Sequence, residues 1–324
     1  MKTNIAEFAL VCCGEGFFMP NNSVGEVFLL KTSNRVAGVK KLMSQFSLDE
    51  YSGKRVALKA NFNSADAFPA STHLDTLGAI VENLKGAKVE EITLGERSGM
   101  GDTRRVLEQM GVLELSERLG FEAVVLDELA QEEWVKVDRD GSHWLKGFYV
   151  AKPFLDADKV VQTCCLKTHR FGGHFTLSLK NSVGLVAKKV PGTIYDYMWE
   201  LHGSPFQRLM IAEINKHYRA DLVIMDGLKA FVSGGPEKGG LVEPNLLLAS
   251  EDRVAIDAVG VAILRMYGAN GHVAKGSIFG QEQIRRAAEL GVGVKSASEI
   301  HLTSLDDESR GVVEKIERVL RSED

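Results

Sequence analysis

Short apolar runs alternate with stretches of helical periodicity along most of the chain, and this alternation constrains the fold more than any other feature. Residues 27–30, 55–62, 89–94, 122–126, 158–165, 222–225 and 246–249 read as strands, the last two without a single polar position. Between and after them, residues 34–46, 74–84, 104–110, 113–119, 191–202, 205–217 and 251–266 carry apolar residues three and four apart, the spacing of a helix with one buried face. Residues 280–290 and 306–320 add two helices charged on one face. An α/β fold follows, with mostly parallel sheets covered by helices. At 324 residues the chain exceeds one typical core, so two α/β lobes, residues 1–155 and 156–324, with a cleft between them, or else one large α/β domain, are expected.

Polar residues collect where strands end. The run RVALKANF closes in Asn61, Asn63 and Ser64, and the carboxyl ends of strands are where open α/β sheets bind ligands. Ser71 or Thr72 suits an N-cap, which puts His73 in the first turn of a helix beside that loop. GERSGMGDT, residues 95–103, is a glycine loop between strand and helix; it matches neither nucleotide-binding glycine pattern, and Asp102 as an N-cap explains it. Residues 134–150, with His143, read as a hairpin or a cleft-edge insertion. Asp226 and Gly227 end the strand 222–225, and a loop with Gly234 and Gly235 follows. Ser250 caps the apolar helix 251–266, inside which Asp257 either pairs with Arg253 or faces a site.

The densest chemistry lies in residues 163–189, TCCLKTHRFGGHFTLSLKNSVGLVAKK. Lys159, Lys167, Arg170, Lys180, Lys188 and Lys189 occur between Asp158 and Asp196 with no Asp or Glu among them, a pattern that attracts anions. Gly172 and Gly173 make residues 167–174 a loop, and a strand over 175–180 sets Thr176, Ser178 and Lys180 on one face. His169 and His174 suit proton transfer near neutral pH, or ligation of a divalent metal; Lys180, between Leu179 and Asn181, is placed for a lowered pKa.

Composition narrows the rest. With 44% hydrophobic and 26% charged residues the chain is globular, and a net charge of −5 argues against nucleic acid as a partner. No apolar run reaches the roughly 18 to 20 residues of a membrane span, and Glu7 interrupts the N-terminal apolar stretch, so neither membrane nor export is expected and the setting is cytoplasmic. The cysteines, Cys12–Cys13 and Cys164–Cys165, are adjacent pairs, which suits reduced thiols better than a four-thiolate metal or iron-sulfur site.

The ordered segments KANF (from Lys59), ASTH (to His73), LKTH (to His169), TLSLKNSVG (from Thr176), MDG (to Gly227), GGP (from Gly234) and ASEDRVAIDAV (from Ala249) resemble the prokaryotic domain of unknown function 362 family. The resemblance implies an α/β protein without an established activity. Many family members resemble carriers of ferredoxin-like iron-sulfur modules, but this chain has no C-x-x-C-x-x-C run. The layout is also distantly similar to the nickel-dependent lactate racemase group, whose site lies between two α/β domains and uses histidines and lysines.

The expected function is therefore acid-base or metal-assisted chemistry on a small carboxylate or phosphate, of racemase, isomerase or lyase type. His169, His174, Lys180 and Asp226 are the candidate catalytic groups, and Lys59, Asn61, His73, Lys167, Arg170, Asn181, Gly234, Gly235 and Asp257 the candidate ligand contacts. The alternative is a non-catalytic binding or accessory protein for a phosphorylated cofactor or redox partner.

Overall fold

The computed structural model describes residues 24–322, so Cys12, Cys13 and the reading of the N-terminus lie outside the described residues. In chain order the first elements are β1 (Gly25–Lys31), α1 (Arg35–Met43), β2 (Arg55–Lys59), α2 (Leu74–Gly86), β3 (Glu91–Glu96), α3 (Thr103–Gln109), α4 (Val112–Leu119) and β4 (Glu122–Val125). They continue with β5 (Trp134–Val137), β6 (Phe148–Ala151), α5 (Pro153–Asp156), β7 (Lys159–His169), β8 (His174–Thr176), α6 (Ser178–Asn181), α7 (Tyr197–Gly203) and α8 (Gln207–Ile214). The last are β9 (Leu222–Gly234), β10 (Gly239–Val242), β11 (Leu246–Ser250), α9 (Arg253–Met266), α10 (Glu282–Glu289), β12 (Ile300–Ser304) and α11 (Asp307–Arg321).

One mixed sheet runs β12-β1-β11-β9-β7-β2-β3-β4, with β8 paired to β7 and β10 to β9; β5 and β6 form a separate hairpin. The central block β9-β7-β2-β3-β4 is parallel throughout, and β11 enters antiparallel between β9 and β1. Helices cover both faces. On one, Val39 and Leu42 of α1 and Leu77 and Ile80 of α2 pack on Leu58, Leu94 and Ile224. On the other, Ile256, Val259 and Ile263 of α9 pack on Leu166, Met225 and Leu248. The apolar surround of α9 follows from burial of all but its last turn, as its sequence implies. The β5–β6 hairpin and α8 bury Trp144, Phe148, Met210 and Ile211 against Val160.

This sheet draws strands from both sides of position 155. β1 lies between β12 and β11, and β2 pairs with β7 across that position. Local periodicity cannot reveal this, because strand neighbours are chosen by tertiary pairing.

Several local expectations change. β7 continues to His169, so the loop expected over 167–174 reduces to residues 170–173; His169 pairs with His174, and Gly172, at φ 81°, allows the tight turn. The strand expected over 175–180 stops at Thr176, and residues 178–181 turn into α6 because Asp257 accepts hydrogen bonds from the backbone N–H of Ser178 and Leu179, at 2.8 and 3.0 Å. The strand expected to end at Asp226 runs on to Gly234. His73 is itself the N-cap of α2, its Nδ1 accepting from the Asp75 N–H at 3.1 Å. Asp252, not Ser250, caps α9.

Candidate functional site

β2 is followed through α2 by β3 on one side, then β4, whereas β7 and β9 are added on its other side. The strand order therefore reverses between β2 and β7, and a crevice opens past the carboxyl ends of two strands at such a point. A cavity of about 500 Å³ lies there. Lys59 ends β2, Glu96 ends β3, and Lys167 and His169 end β7; α6 contributes Lys180 and Asn181, and α7 contributes Met198 and His202.

The cavity is strongly cationic. Lys59, Arg97, Lys167 and Lys180 line it together with one carboxylate, Glu96. Lys59 is 2% exposed, forms an ion pair with Glu96 and donates to the carbonyl of Ala60. Burial pushes the Lys59 ammonium down and the Glu96 carboxyl up, each opposed by the other's charge. Lys167, 1% exposed, has no carboxylate; it donates to Asn61 Oδ1 and the Pro69 carbonyl, both at 3.1 Å, and to the Ala70 carbonyl. Three oxygens meet its three donors. Arg97 is buried, donates to the Val183 carbonyl, and keeps a buried Nε without a partner.

Lys180 differs from these. It is partly buried and, among the described residues, makes no hydrogen bond or ion pair. Burial lowers its pKa to about 8, and the neighbouring charges of Lys167 and Arg97 act in the same direction. Its helix is docked by Asp257, whose carboxyl is pushed up to about 7 by burial, against the pull of the two N–H donors.

Burial disfavours the charged form of the two cavity histidines, His169 and His202. Burial, then the charges of Lys180 and Lys167, puts His169 well below the ordinary histidine range, and its buried Nδ1 has no partner. His202 Nδ1 stands 2.7 Å from the Met198 carbonyl, so Nδ1 carries the proton and Nε2 is left with a free lone pair. Gly173 leaves room for this packing. A methyl group there would stand 2.7 Å from Lys180 Cε and 3.1 Å from His169 Nδ1, so the two side chains flank one backbone atom.

Of the residues expected from sequence, the cavity gathers Lys59, Asn61, Lys167, His169, Lys180 and Asn181. Asn181 is the polar hub: its Nδ2 donates to the Thr163 carbonyl at 3.1 Å, and its Oδ1 faces Lys59 and Asn61 at 3.5 Å. The other expected residues lie elsewhere. Asp226 is buried on the α1–α2 face, where Arg35 at 2.9 Å and Thr76 at 2.6 Å occupy it, and His73 caps α2. Asp257 accepts hydrogen bonds from α6, while Arg253 donates to Asn215 at 2.9 Å. Arg170, His174 and Gly234 line a second pocket of about 450 Å³ beyond the hairpin, which shares His169 with the first. There Arg170 pairs with Glu237 and the Gly235 carbonyl, and His174 stacks on His272 with centroids 4.3 Å apart. Burial, then Arg208 and His272, lowers His174 to about 4. Among the described residues no group of three or more His, Cys, Asp or Glu side chains converges as a metal ion would need. Cys164 and Cys165 are buried free thiols, the latter pushed up to about 11 by burial.

Sequence reading missed Glu96, Arg97 and His202. Arg97 is the third residue of the glycine loop, and His202 stands in a helical apolar context.

Fold and site thus describe an α/β protein with a cationic cavity at the switch point of its sheet. Residues 56–262 match the family model described as Domain of unknown function (DUF362), and the chain belongs to that family. It is 29% identical over 219 residues to a thylakoid-associated protein of Synechocystis sp., covering 66% of this chain and 64% of that protein, so it spans less than two thirds of that relative's length. Among solved structures it is similar to the lactate racemase apoprotein of Thermoanaerobacterium thermosaccharolyticum, at 15% identity and a TM-score of 0.43 over 73% of this chain and 57% of that one. No helix among the described residues is long and apolar enough to cross a membrane.

Proposed function

We propose that the switch-point cavity binds a small carboxylate or phosphate and that the protein is a cytoplasmic enzyme moving protons on it, of racemase, isomerase or lyase type. The observation that carries the reading is the charge balance: four cations face one carboxylate, and that carboxylate is already paired with Lys59. An anion supplies the missing charge at little cost in reorganisation, because Lys59 and Lys167 are fixed by their oxygen partners. Lys180 is the group free to touch the ligand, and with a pKa of about 8 it is available both as acid and as base near neutral pH. The His202 Nε2 lone pair and the His169 ring are further proton acceptors lining the same cavity. The free thiols of Cys164 and Cys165 suit a reducing compartment.

Titration calorimetry with phosphate and with small 2-hydroxy and 2-oxo acids tests this on the wild type and on Gly173→Ala. The substitution displaces Lys180 and His169 without changing charge. The wild type is expected to bind at least one anion, more weakly as salt rises. The variant should bind it about tenfold or more weakly, since a hydrogen bond to a charged group contributes roughly 1.5–3 kcal/mol. Absence of binding by every anion, or equal affinities for both proteins, would count against the site. Binding with no dependence on pH between 6 and 9 would favour a passive holder over an enzyme, because Lys180 would then have no part in it.

A further inference from the structure

We infer that Lys180 is an imine-forming lysine and that the cavity's ligand is a small anion bearing a ketone or aldehyde carbon. The inference rests on the proposed anion site and goes beyond it by naming the carbonyl class and a covalent step.

Three lysines line the cavity, and their surroundings separate them. Lys59 is held by Glu96 and the Ala60 carbonyl, and Lys167 by Asn61, Pro69 and Ala70. Each has its donors directed at fixed oxygens, which favours the charged form against the burial that lowers both ammonium groups and ties up the nitrogen that would attack. Lys180 has no such partner among the described residues, sits beside two further cations and meets no carboxylate. An amine that is partly desolvated and crowded by like charge loses its proton readily, which is how lysine becomes a nucleophile. A pKa of about 8 agrees with that geometry. The fixed charges of Lys59, Lys167 and Arg97 would hold the ligand's carboxylate or phosphate and leave its carbonyl carbon for Lys180.

The step balances without any oxidant or reductant. The Nζ lone pair forms a bond to the carbonyl carbon, the C=O π pair moves to oxygen, and oxygen takes up the proton that nitrogen releases, giving a carbinolamine. Nitrogen then forms a second bond to carbon as the hydroxyl leaves with a proton as water. His202 Nε2 and the His169 ring, both neutral and lining the cavity, carry these protons. The resulting protonated imine draws electrons from the neighbouring carbon, so a bond to hydrogen or carbon there can break, which is isomerase or lyase chemistry.

Trapping tests the imine. Wild type, Lys180→Arg and Lys180→Ala are each incubated at pH 8 with glyoxylate, pyruvate or pyridoxal phosphate plus cyanoborohydride, then digested and mapped by mass spectrometry. The Arg variant keeps the cation and cannot form an imine, which guards against loss of signal through misfolding. The expected result is a reduced adduct on Lys180 of the wild type, formed on the order of tenfold faster than on exposed lysines, whose amines are almost wholly protonated at that pH. It should be absent from both variants and suppressed by excess phosphate. Stabilisation of the wild type by phosphate or pyruvate, read from melting temperature, is measured alongside. If an anion stabilises the protein but Lys180 stays unmodified, or labels no faster than surface lysines, the imine is overturned and the anion site stands. If no anion stabilises it and Lys180 stays unmodified, both are overturned.

Discussion

Lys180 is penalised by its own surroundings, and the penalty has a sign that can be measured. Its pKa in the folded protein is about 8 against an ordinary 10.5, so between those values the unfolded chain holds the proton more often than the folded one. Stability therefore rises with pH across that window, and below about pH 8 the fold carries the cost of a desolvated cation beside Lys167 and Arg97. Lys180→Met removes that cost. In anion-free buffer at pH 7 the Met variant should melt above the wild type, with the gap closing as pH rises from about 8 toward 10.5. Added phosphate should stabilise the wild type and leave the variant unmoved. A wild type that melts higher at pH 7 without anion would show that the amine pays no such penalty. At this scale much of the candidate site was readable: Lys167, His169, Lys180 and Asn181, which line one cavity, stand in one acid-free stretch, and Asn61 lies at the end of the first strand of the parallel block. Glu96, Arg97 and His202 were not, because nothing in their local sequence says which cavity they will face.

At the scale of elements, two carboxylates expected to serve the site instead hold elements in place. Asp226 ties β9 to α1 through Arg35 and to α2 through Thr76, and Asp257 ties α9 to α6. Asp226→Ala leaves Arg35, 15% exposed at its side chain, without its partner, and is expected to cost about 3–5 kcal/mol in urea unfolding. The folded fraction should still bind the same anion with unchanged affinity by calorimetry; a loss of affinity with stability intact would restore Asp226 to the site. The residues 175–180 show why short elements mislead. Their alternation of polar and apolar side chains is that of a strand, yet at this length a few hydrogen bonds decide, and Asp257 supplies two of them to a helical turn. Long elements such as α9, with many apolar contacts, matched their pattern.

For the whole molecule, the consequence of one sheet is cooperativity. β1 and β12, from opposite ends of the described chain, are adjacent, and β7 carries pairs to β9, β2 and β8. Breaking the sheet at any point exposes apolar surface on both faces, so calorimetry should give one unfolding transition whose van't Hoff and calorimetric enthalpies agree. Two separated transitions would mean that residues on the two sides of position 155 unfold as independent lobes. The sequence by itself determined the α/β class, the order of most elements, the family and the cationic character of the site, because these depend on side-chain periodicity and local charge, which are properties of short stretches. Tertiary structure alone decided the single sheet, the switch point, and which lysine is free. Those depend on which distant oxygens meet each amine: Glu96 reaches Lys59, Asn61 reaches Lys167, and no partner reaches Lys180 among the described residues.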